Sequence, residues 1–376
     1  MIVRIEDLKD VCSKISAAMD VSENDTLTST VELLADGGYL NLIVSNREYY
    51  VKAKIDLHED IRFDATVLAS KFLTLISKTT NDTVEFEIKE NSLQVTGNGT
   101  YQFPLVYDVE GNMLHIPEIS VDVVTQKFNI SKEIFSSIYS YNARQISNNF
   151  SKDGNPYHWL YYIDEEGCIT YSNSACVNKF ELEKPIKLLL NQKVVKLFKL
   201  LTDDTISFSF GHSELPNGTI QSKASFEDSC VLIVATLPAN EISSVPAQAI
   251  RNRAFSDYKY VTNINSSALL GAIDRILIFT PLYTETDKQI KVKGYLDFTN
   301  DSVTITVADN SVSETVYYDN SNPLTLAEDY KAKVDLFDLK AALECCKTEF
   351  ITLGFGNQQA LSISRGNVYN VVPEIH

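Results

Sequence analysis

In the segment NQKVVKLFKLL, Lys193, Lys196 and Lys199 recur at every third residue. On a helix that spacing gathers three ammonium groups along one face, with Val194, Val195, Leu197 and Phe198 roughly opposite. Such a stripe can draw the phosphates of a nucleic acid through diffuse charge, or it can be an ordinary solvated face. A net charge of −17 at pH 7 opposes the first reading, because phosphate binders usually carry a basic surface. The objection stands unless the charge is partitioned along the chain.

Catalytic chemistry is thinly supplied. The five histidines, His58, His115, His158, His212 and His376, are scattered, and no GxxxxGK[ST], HExxH, GxSxG or GxGxxG motif is present. Cys12, Cys168, Cys176, Cys230, Cys345 and Cys346 form no CxxC pair and have no histidine at ligand spacing, which reads as buried free thiols. The adjacent acids Asp203-Asp204 and Glu59-Asp60 could serve a carboxylate metal-dependent hydrolase, but both pairs fall at expected turns. No catalytic residue, metal or cofactor is therefore assigned.

The elements that would carry the lysine stripe belong to a repeat. A chain of 376 residues suggests two or three domains. Alternating strands broken by a polar pair occur at Ser45-Asn46, Ser172-Asn173 and Asp309-Asn310, with Asn46 and Asn173 separated by 127 residues and Asn173 and Asn310 by 137. Such pairs suit tight turns between consecutive strands. Before each break lies a strand running into a helix-patterned segment, as in IVRIEDLKDVCSKISAAM, where Ile5, Leu8, Val11, Cys12 and Ile15 fall at helical spacing. After each break comes another such unit, with Asp64, Asn191 and Asp335 at or near the expected helix starts, and Ser131 suits the N-cap of the helix that opens the middle domain. The chain reads as α+β, three pseudo-repeated domains over 1–124, 125–252 and 253–376, each made of two strand-helix-antiparallel-strand halves.

No signal peptide is legible at Met1-Ile-Val-Arg, and no apolar run approaches the length of about 18 residues that a membrane span needs. The expectation is a cytoplasmic protein without a membrane partner.

This organisation resembles the bacterial-type DNA sliding clamp, the beta subunit of the replicative polymerase, over the whole chain. The end, YNVVPEIH, is similar to the family's Tyr-Val-Val-Met-Pro-Met-Arg-Leu terminus, and FDLKAALECCKTEFITLGFGNQQALSI to its final helix and strands. ITYSNSACV stands where the family has Ala-Thr-Asp-Gly-His-Arg-Leu-Ala, a departure that makes the resemblance one to a divergent clamp of the kind a phage could encode. EISSVPAQAIRN resembles the segment bearing the family's pocket proline, TYQFPLVYDVEG stands at its Arg-Phe-x-Leu, and AIDRILIF covers its interface Ile-Leu.

The resemblance implies a ring of two head-to-tail subunits, sheets outside and helices lining a hole around double-stranded DNA, without enzymatic activity of its own. The six helix segments 5–19, 65–78, 132–146, 191–202, 266–279 and 337–347 together carry +5, leaving −22 for the rest, so the charge objection is met if the helices face the hole. Lys71, Lys78, Lys132, Arg144, Lys193, Lys196, Lys199, Arg275, Lys340 and Lys347 are then the candidate pore residues. Phe103, Ile276 and Leu277 would meet across the subunit interface, and Trp159, Tyr171, Cys176, Pro246, Val372 and Pro373 would line a pocket for a short apolar peptide. Through that pocket the polymerase, the clamp loader and other proteins bearing the clamp-binding motif would compete. The alternatives from other classes are a clamp-fold structural or interaction protein that does not encircle DNA, and the carboxylate hydrolase.

Overall fold

The computed structural model describes residues 1–19, 26–46, 48–146, 154–215, 217–279, 292–307, 312–319, 324–346 and 348–375. Along it a strand runs into a helix and then into three antiparallel strands, six times over. The first pass is β1 (Ile2–Arg4), α1 (Ile5–Ala18), β2 (Thr30–Asp36), β3 (Tyr39–Ser45) and β4 (Tyr49–Asp56). The second is β5 (Phe63–Leu68), α2 (Ala69–Lys78), β6 (Thr83–Lys89), β7 (Ser92–Thr96) and β8 (Thr100–Pro104). The third is β9 (Val123–Ser131), α3 (Lys132–Ser137), β10 (Leu160–Asp164), β11 (Gly167–Tyr171) and β12 (Ala175–Lys179). The fourth is β13 (Lys187–Asn191), α4 (Gln192–Leu197), β14 (Thr205–Glu214), β15 (Ile220–Glu227) and β16 (Val231–Thr236). An extra helix, α5 (Ala247–Ala254), precedes the fifth: β17 (Tyr260–Asn265), α6 (Ser266–Phe279), β18 (Lys293–Phe298), β19 (Ser302–Val307) and β20 (Ser313–Tyr317). The sixth is β21 (Tyr330–Asp335), α7 (Leu336–Cys345), β22 (Phe350–Phe355), β23 (Ala360–Arg365) and β24 (Val368–Pro373). The expected sixfold α+β repeat is thus present as topology.

Each helix forms because its apolar residues return at three and four. α1 buries Ile5, Leu8, Val11, Cys12, Ile15 and Ala18, and its first turn carries Glu6 and Asp7, which suit the positive end of the helix. α2 buries Ala69, Phe72, Leu73 and Ile76 and leaves Lys71 and Lys78 in solvent. Asn191 accepts a hydrogen bond from the Val194 N–H at 2.9 Å and Asp335 one from Phe337 at 2.9 Å, so both cap as expected. Ser131 likewise accepts from Glu133 at 3.2 Å. Asp64 does not cap: it lies inside β5, and α2 begins only at Ala69. The helix expected over 132–146 is α3 followed by a widened π turn at Ile138–Asn142 and a 3-10 turn at Ala143–Gln145.

The first strand of each half crosses to the other half of its repeat. β1 pairs with β6 and β5 with β2; β9 pairs with β14 and β13 with β10; β17 pairs with β22 and β21 with β18. Half-sheets then fuse edge to edge in two places. β4 joins β16, with Val51 opposite Ile233, and β12 joins β24, with Ala175 opposite Val371. Two eight-stranded sheets result, ordered β5-β2-β3-β4-β16-β15-β14-β9 and β13-β10-β11-β12-β24-β23-β22-β17. Two four-stranded sheets remain, β1-β6-β7-β8 and β20-β19-β18-β21, and among the described residues β8 and β20 end them without a further strand.

By internal contacts the chain forms two compact units, residues 1–133 with 196–239 and residues 134–195 with 240–376. The middle repeat is divided between them because its two half-sheets are each hydrogen-bonded into a different eight-stranded sheet.

The turn reading of the polar pairs holds at the first break. Asn46 Oδ1 accepts the Glu48 and Tyr49 N–H groups at 2.8 and 2.9 Å, and the Ser45 hydroxyl donates to the Tyr49 carbonyl at 3.1 Å. At the second, the Ser172 N–H donates to the Ser174 carbonyl at 2.9 Å. The third pair, Asp309-Asn310, lies outside the described residues. All six cysteines are free thiols, five of them buried, and burial pushes Cys12 up to about 12 and Cys346 to about 11. Among the described residues no helix is long and apolar enough to cross a membrane.

Candidate functional site

A cavity of about 260 Å³ opens in the second compact unit, where the β11–β12 turn, α5 and the end of β24 come together. Its sheet wall follows from register. Tyr171 pairs with Ala175 and Ala175 with Val371, and side chains in one cross-strand row share a face. Pro373, two residues beyond Val371, continues that face. The helix wall is Pro246, Ala249, Ile250 and Arg253. Beneath it Val245 and Ala254 pack with Leu160, Ile169, Val177 and Val371, and Ile250 lies against this core. The space suits one or two apolar side chains, with the exposed Arg253 at hand for a carboxylate. His158 stands edge-on to Tyr171 at 5.2 Å between centroids, and burial, with Tyr157 nearby, raises the Tyr171 phenol so that it stays neutral.

A buried ion pair holds α5 in place. Arg251 Nη1 and Nη2 donate to the two carboxylate oxygens of Asp164 on β10 at 2.9 and 2.5 Å, and Glu166 lies 3.2 Å from Nη1. Arg251 and Asp164 are both buried, so this fork sets the position of Ile250 and Arg253 on the same helix.

Three of the expected pocket residues, Tyr171, Pro246 and Pro373, line this cavity. Cys176 and Val372 are corrected by the pleat: each is one residue out of the row, completely buried on the other face, Val372 in the core with Leu361 and Ile363, Cys176 with its thiol 3.6 Å from the Tyr141 carbonyl. Trp159 closes a 3-10 turn, Pro156–Trp159, and is not in the lining. Ala249, Ile250, Arg253 and Val371 were missed. The signal for the first three was the proline followed by AQAIRNRAF, a helix start; Val371 needed the register of β24, which sequence does not carry.

The expected pore cations divide into two sets. Lys193, Lys196 and Lys199 are exposed at every third residue while Val194, Val195, Leu197, Phe198 and Leu200 are buried, so the one-face reading of this stripe holds. It holds past α4 because Phe198–Leu200 is a 3-10 turn, whose three-residue period keeps the lysines aligned. Lys71 and Lys78 are also exposed, and with Lys196 and Lys199 they enter no ion pair among the described residues. Lys132 instead donates to the Thr202 carbonyl at 2.7 Å. The arginines and the lysine of the second unit are occupied by acids: Arg144 lies 3.5 Å from Glu344, Lys340 2.6 Å from Asp274, and Arg275 2.5 Å from Glu314. Arg275 correspondingly holds the Glu314 carboxyl below the ordinary range. Lys347 lies outside the described residues.

Of the expected interface residues, Phe103 is half-buried on β8, edge-on to Phe72 at 5.8 Å, and Leu277 is half-buried against the core. Ile276 is corrected: it is fully buried with Leu269 and Ile273 and presents no surface. Two and three residues further on, Ile278 and Phe279 are 75% and 65% exposed, the most solvent-facing large apolar residues of α6.

Comparison with known proteins gives the fold. No protein-family model matches the sequence, and no curated protein matches it by sequence similarity. Solved structures match throughout. A DNA polymerase III subunit beta from Pseudomonas aeruginosa superposes with a TM-score of 0.81 at 12% identity, covering 100% of this chain and 99% of its own. A DNA polymerase III beta chain from Streptococcus pneumoniae gives 0.80 at 15% identity, with 100% and 99% covered. A DNA polymerase sliding clamp from Bacillus subtilis gives 0.77 at 14%, with 100% and 98% covered. A further P. aeruginosa clamp that matches is bound to griselimycin. The chain has the sliding-clamp fold.

Proposed function

We propose that this chain is a DNA sliding clamp: a non-enzymatic processivity factor of three repeats, 1–124, 125–252 and 253–376, two copies of which close head to tail around duplex DNA. The observation that carries the reading is that, among the described residues, four of the six third strands of the half-repeats pair with one another and two, β8 and β20, do not. Two of the chain's half-sheet junctions are closed, β4 on β16 and β12 on β24, while β8 and β20 each end a four-stranded sheet. Pairing β8 of one copy with β20 of another repeats the same third-strand junction and covers the backbone groups that these two edge strands otherwise leave unpaired.

Six repeats from two such chains would present their helices inward. Lys71, Lys78, Lys196 and Lys199 are the lysines available to phosphate, and their attraction needs no base contact. The cavity at Tyr171, Pro246, Ile250 and Pro373 would take an apolar anchor from a polymerase, a clamp loader or another protein that works on DNA.

Electron microscopy of the purified chain tests the reading: rings with a central hole are expected, and compact particles at every concentration would overturn it. The charge model makes its own prediction. Replacing Lys71, Lys78, Lys196 and Lys199 together by Glu leaves ring assembly intact but abolishes measurable binding to nicked plasmid at low salt. In the unaltered protein, binding falls steeply with salt, by a logarithmic slope of about −0.9 for each phosphate engaged. Unchanged affinity in the four-residue variant rules out these lysines as the DNA contact.

A further inference from the structure

Away from the helices and the cavity, three donors from three separate segments converge in the first compact unit. Glu32 lies on β2 and Asp64 on the neighbouring β5, where Leu34 pairs with Asp64 and Glu32 with Thr66. The two carboxylates are therefore diagonal neighbours on one face of the sheet. The third donor arrives with the segment after β8. Leu105 bridges to Val67, the Val106 N–H donates to the Thr66 carbonyl at 2.9 Å, and the Thr66 hydroxyl donates to the Leu114 carbonyl at 2.6 Å. Asp108 closes the turn of this short hairpin by accepting the Glu110 and Asn112 N–H groups, both at 2.9 Å. His115 follows directly, with its Nδ1 3.0 Å from Glu32 Oε1 and 3.6 Å from Asp64 Oδ2.

The charge in this corner is poorly matched. The Glu32 side chain is 4% exposed, yet among the described residues no lysine or arginine pairs with it or with Asp64. Among the described residues its second oxygen accepts only the Ile116 N–H, at 2.8 Å. Asp64 Oδ1 is buried and accepts no hydrogen bond from the described residues. Burial without a full counter-charge holds the Asp64 carboxyl above its usual range, while the Glu32 hydrogen bond raises His115.

We propose that Glu32, Asp64 and His115 bind a divalent transition metal of the zinc class, which fastens the hairpin at residues 105–116 to the β2–β5 edge. The donor atoms all lie within 4.8 Å of one another. Metal bonds of about 2.1 Å in a tetrahedron set donors about 3.4 Å apart, close to the spacing already present around His115. One imidazole with two carboxylates is a donor set for zinc, cobalt or manganese, whereas calcium and magnesium prefer oxygen alone. His115 is 60% exposed, so the fourth position opens to water. A divalent ion would take the place of the His115 proton between the two carboxylates and supply two positive charges where the imidazolium supplies one. The site is independent of the DNA-encircling reading, since all its parts belong to one compact unit.

Isothermal titration of the untagged, EDTA-dialysed full chain with zinc chloride is the test. One equivalent is expected to bind at micromolar or tighter dissociation constant, with affinity falling at least 100-fold in His115→Ala and in Asp64→Asn and staying unchanged in the control His58→Ala. Cobalt in place of zinc should give visible d–d absorption that zinc bleaches. Absence of a one-to-one event overturns the site, as does zinc binding of equal strength in His115→Ala, which would assign the ion to the thiols or the surface. Asp64→Asn keeps the β-strand backbone and the side-chain size, so a folded variant that still binds zinc as the parent does is equally fatal.

Discussion

A chain carrying Ile278→Asp and Phe279→Asp is expected to sediment as a folded 42.1 kDa monomer at concentrations where the proposed head-to-tail pairing makes the unaltered chain a dimer. Both residues lie one turn past Arg275, on the side of α6 that is tied to β20 through the Arg275–Glu314 pair. They thus flank the open edge that β8 of a second copy would occupy. Each large apolar side chain removed from water contributes about 1.5–3 kcal/mol, so losing two and burying two charges weakens association by at least about 100-fold. Substitution on the opposite face of the helix behaves differently: Ile276→Asp places a charge in a fully buried position and should unfold the chain rather than separate subunits. Analytical ultracentrifugation with circular dichroism distinguishes the cases. A double variant that is still dimeric would remove the β8–β20 junction from the proposal.

The second large effect lies at Arg251. Arg251→Ala strips Asp164 of its partner while leaving the carboxylate buried, a change that costs about 3–5 kcal/mol. In a transition involving a unit of this size, that corresponds to a melting temperature lower by roughly 10 °C. Because α5 carries Ile250 and Arg253, the loss should reach the cavity as well. Combining it with Asp164→Asn removes the orphaned charge, and much of the lost stability should return. Calorimetry of the two variants decides: if Arg251→Ala melts with the parent, the fork is not what holds α5, and if the double variant is no better than the single, the cost lies in packing rather than charge.

What the amino-acid sequence determined by itself is the local periodicity. The three-and-four spacing of Ile5, Leu8, Val11, Cys12 and Ile15 specifies a buried helix face whatever lies beneath it. The step of three in Lys193, Lys196 and Lys199 keeps the ammonium groups in water because the valines and leucines between them must leave it. The same holds for the Ser45-Asn46 turn, where the two side chains bond backbone groups between Asn46 and Tyr49. Repetition of these short-range patterns is enough to read six strand-helix-strand units.

Tertiary structure decided everything that depends on which strand lies beside which. Val371 faces the cavity and Val372 the core because β24 pairs with β12 in one register, and a shift by one residue would exchange them. Ile276 and Ile278 are both apolar and two residues apart, about 200° around the helix, and packing of the Leu269–Ile273–Ile276 face on the core decides which of them is buried and which exposed. Asp64, placed at a helix start by its sequence, lies instead across the sheet from Glu32 with His115, which is 51 residues further along the chain. Arg275 and Lys340 look like free cations until Glu314 and Asp274 are brought against them. Side-chain spacing is a property of the backbone period, whereas register, facing and ion pairing arise between segments that meet only on folding.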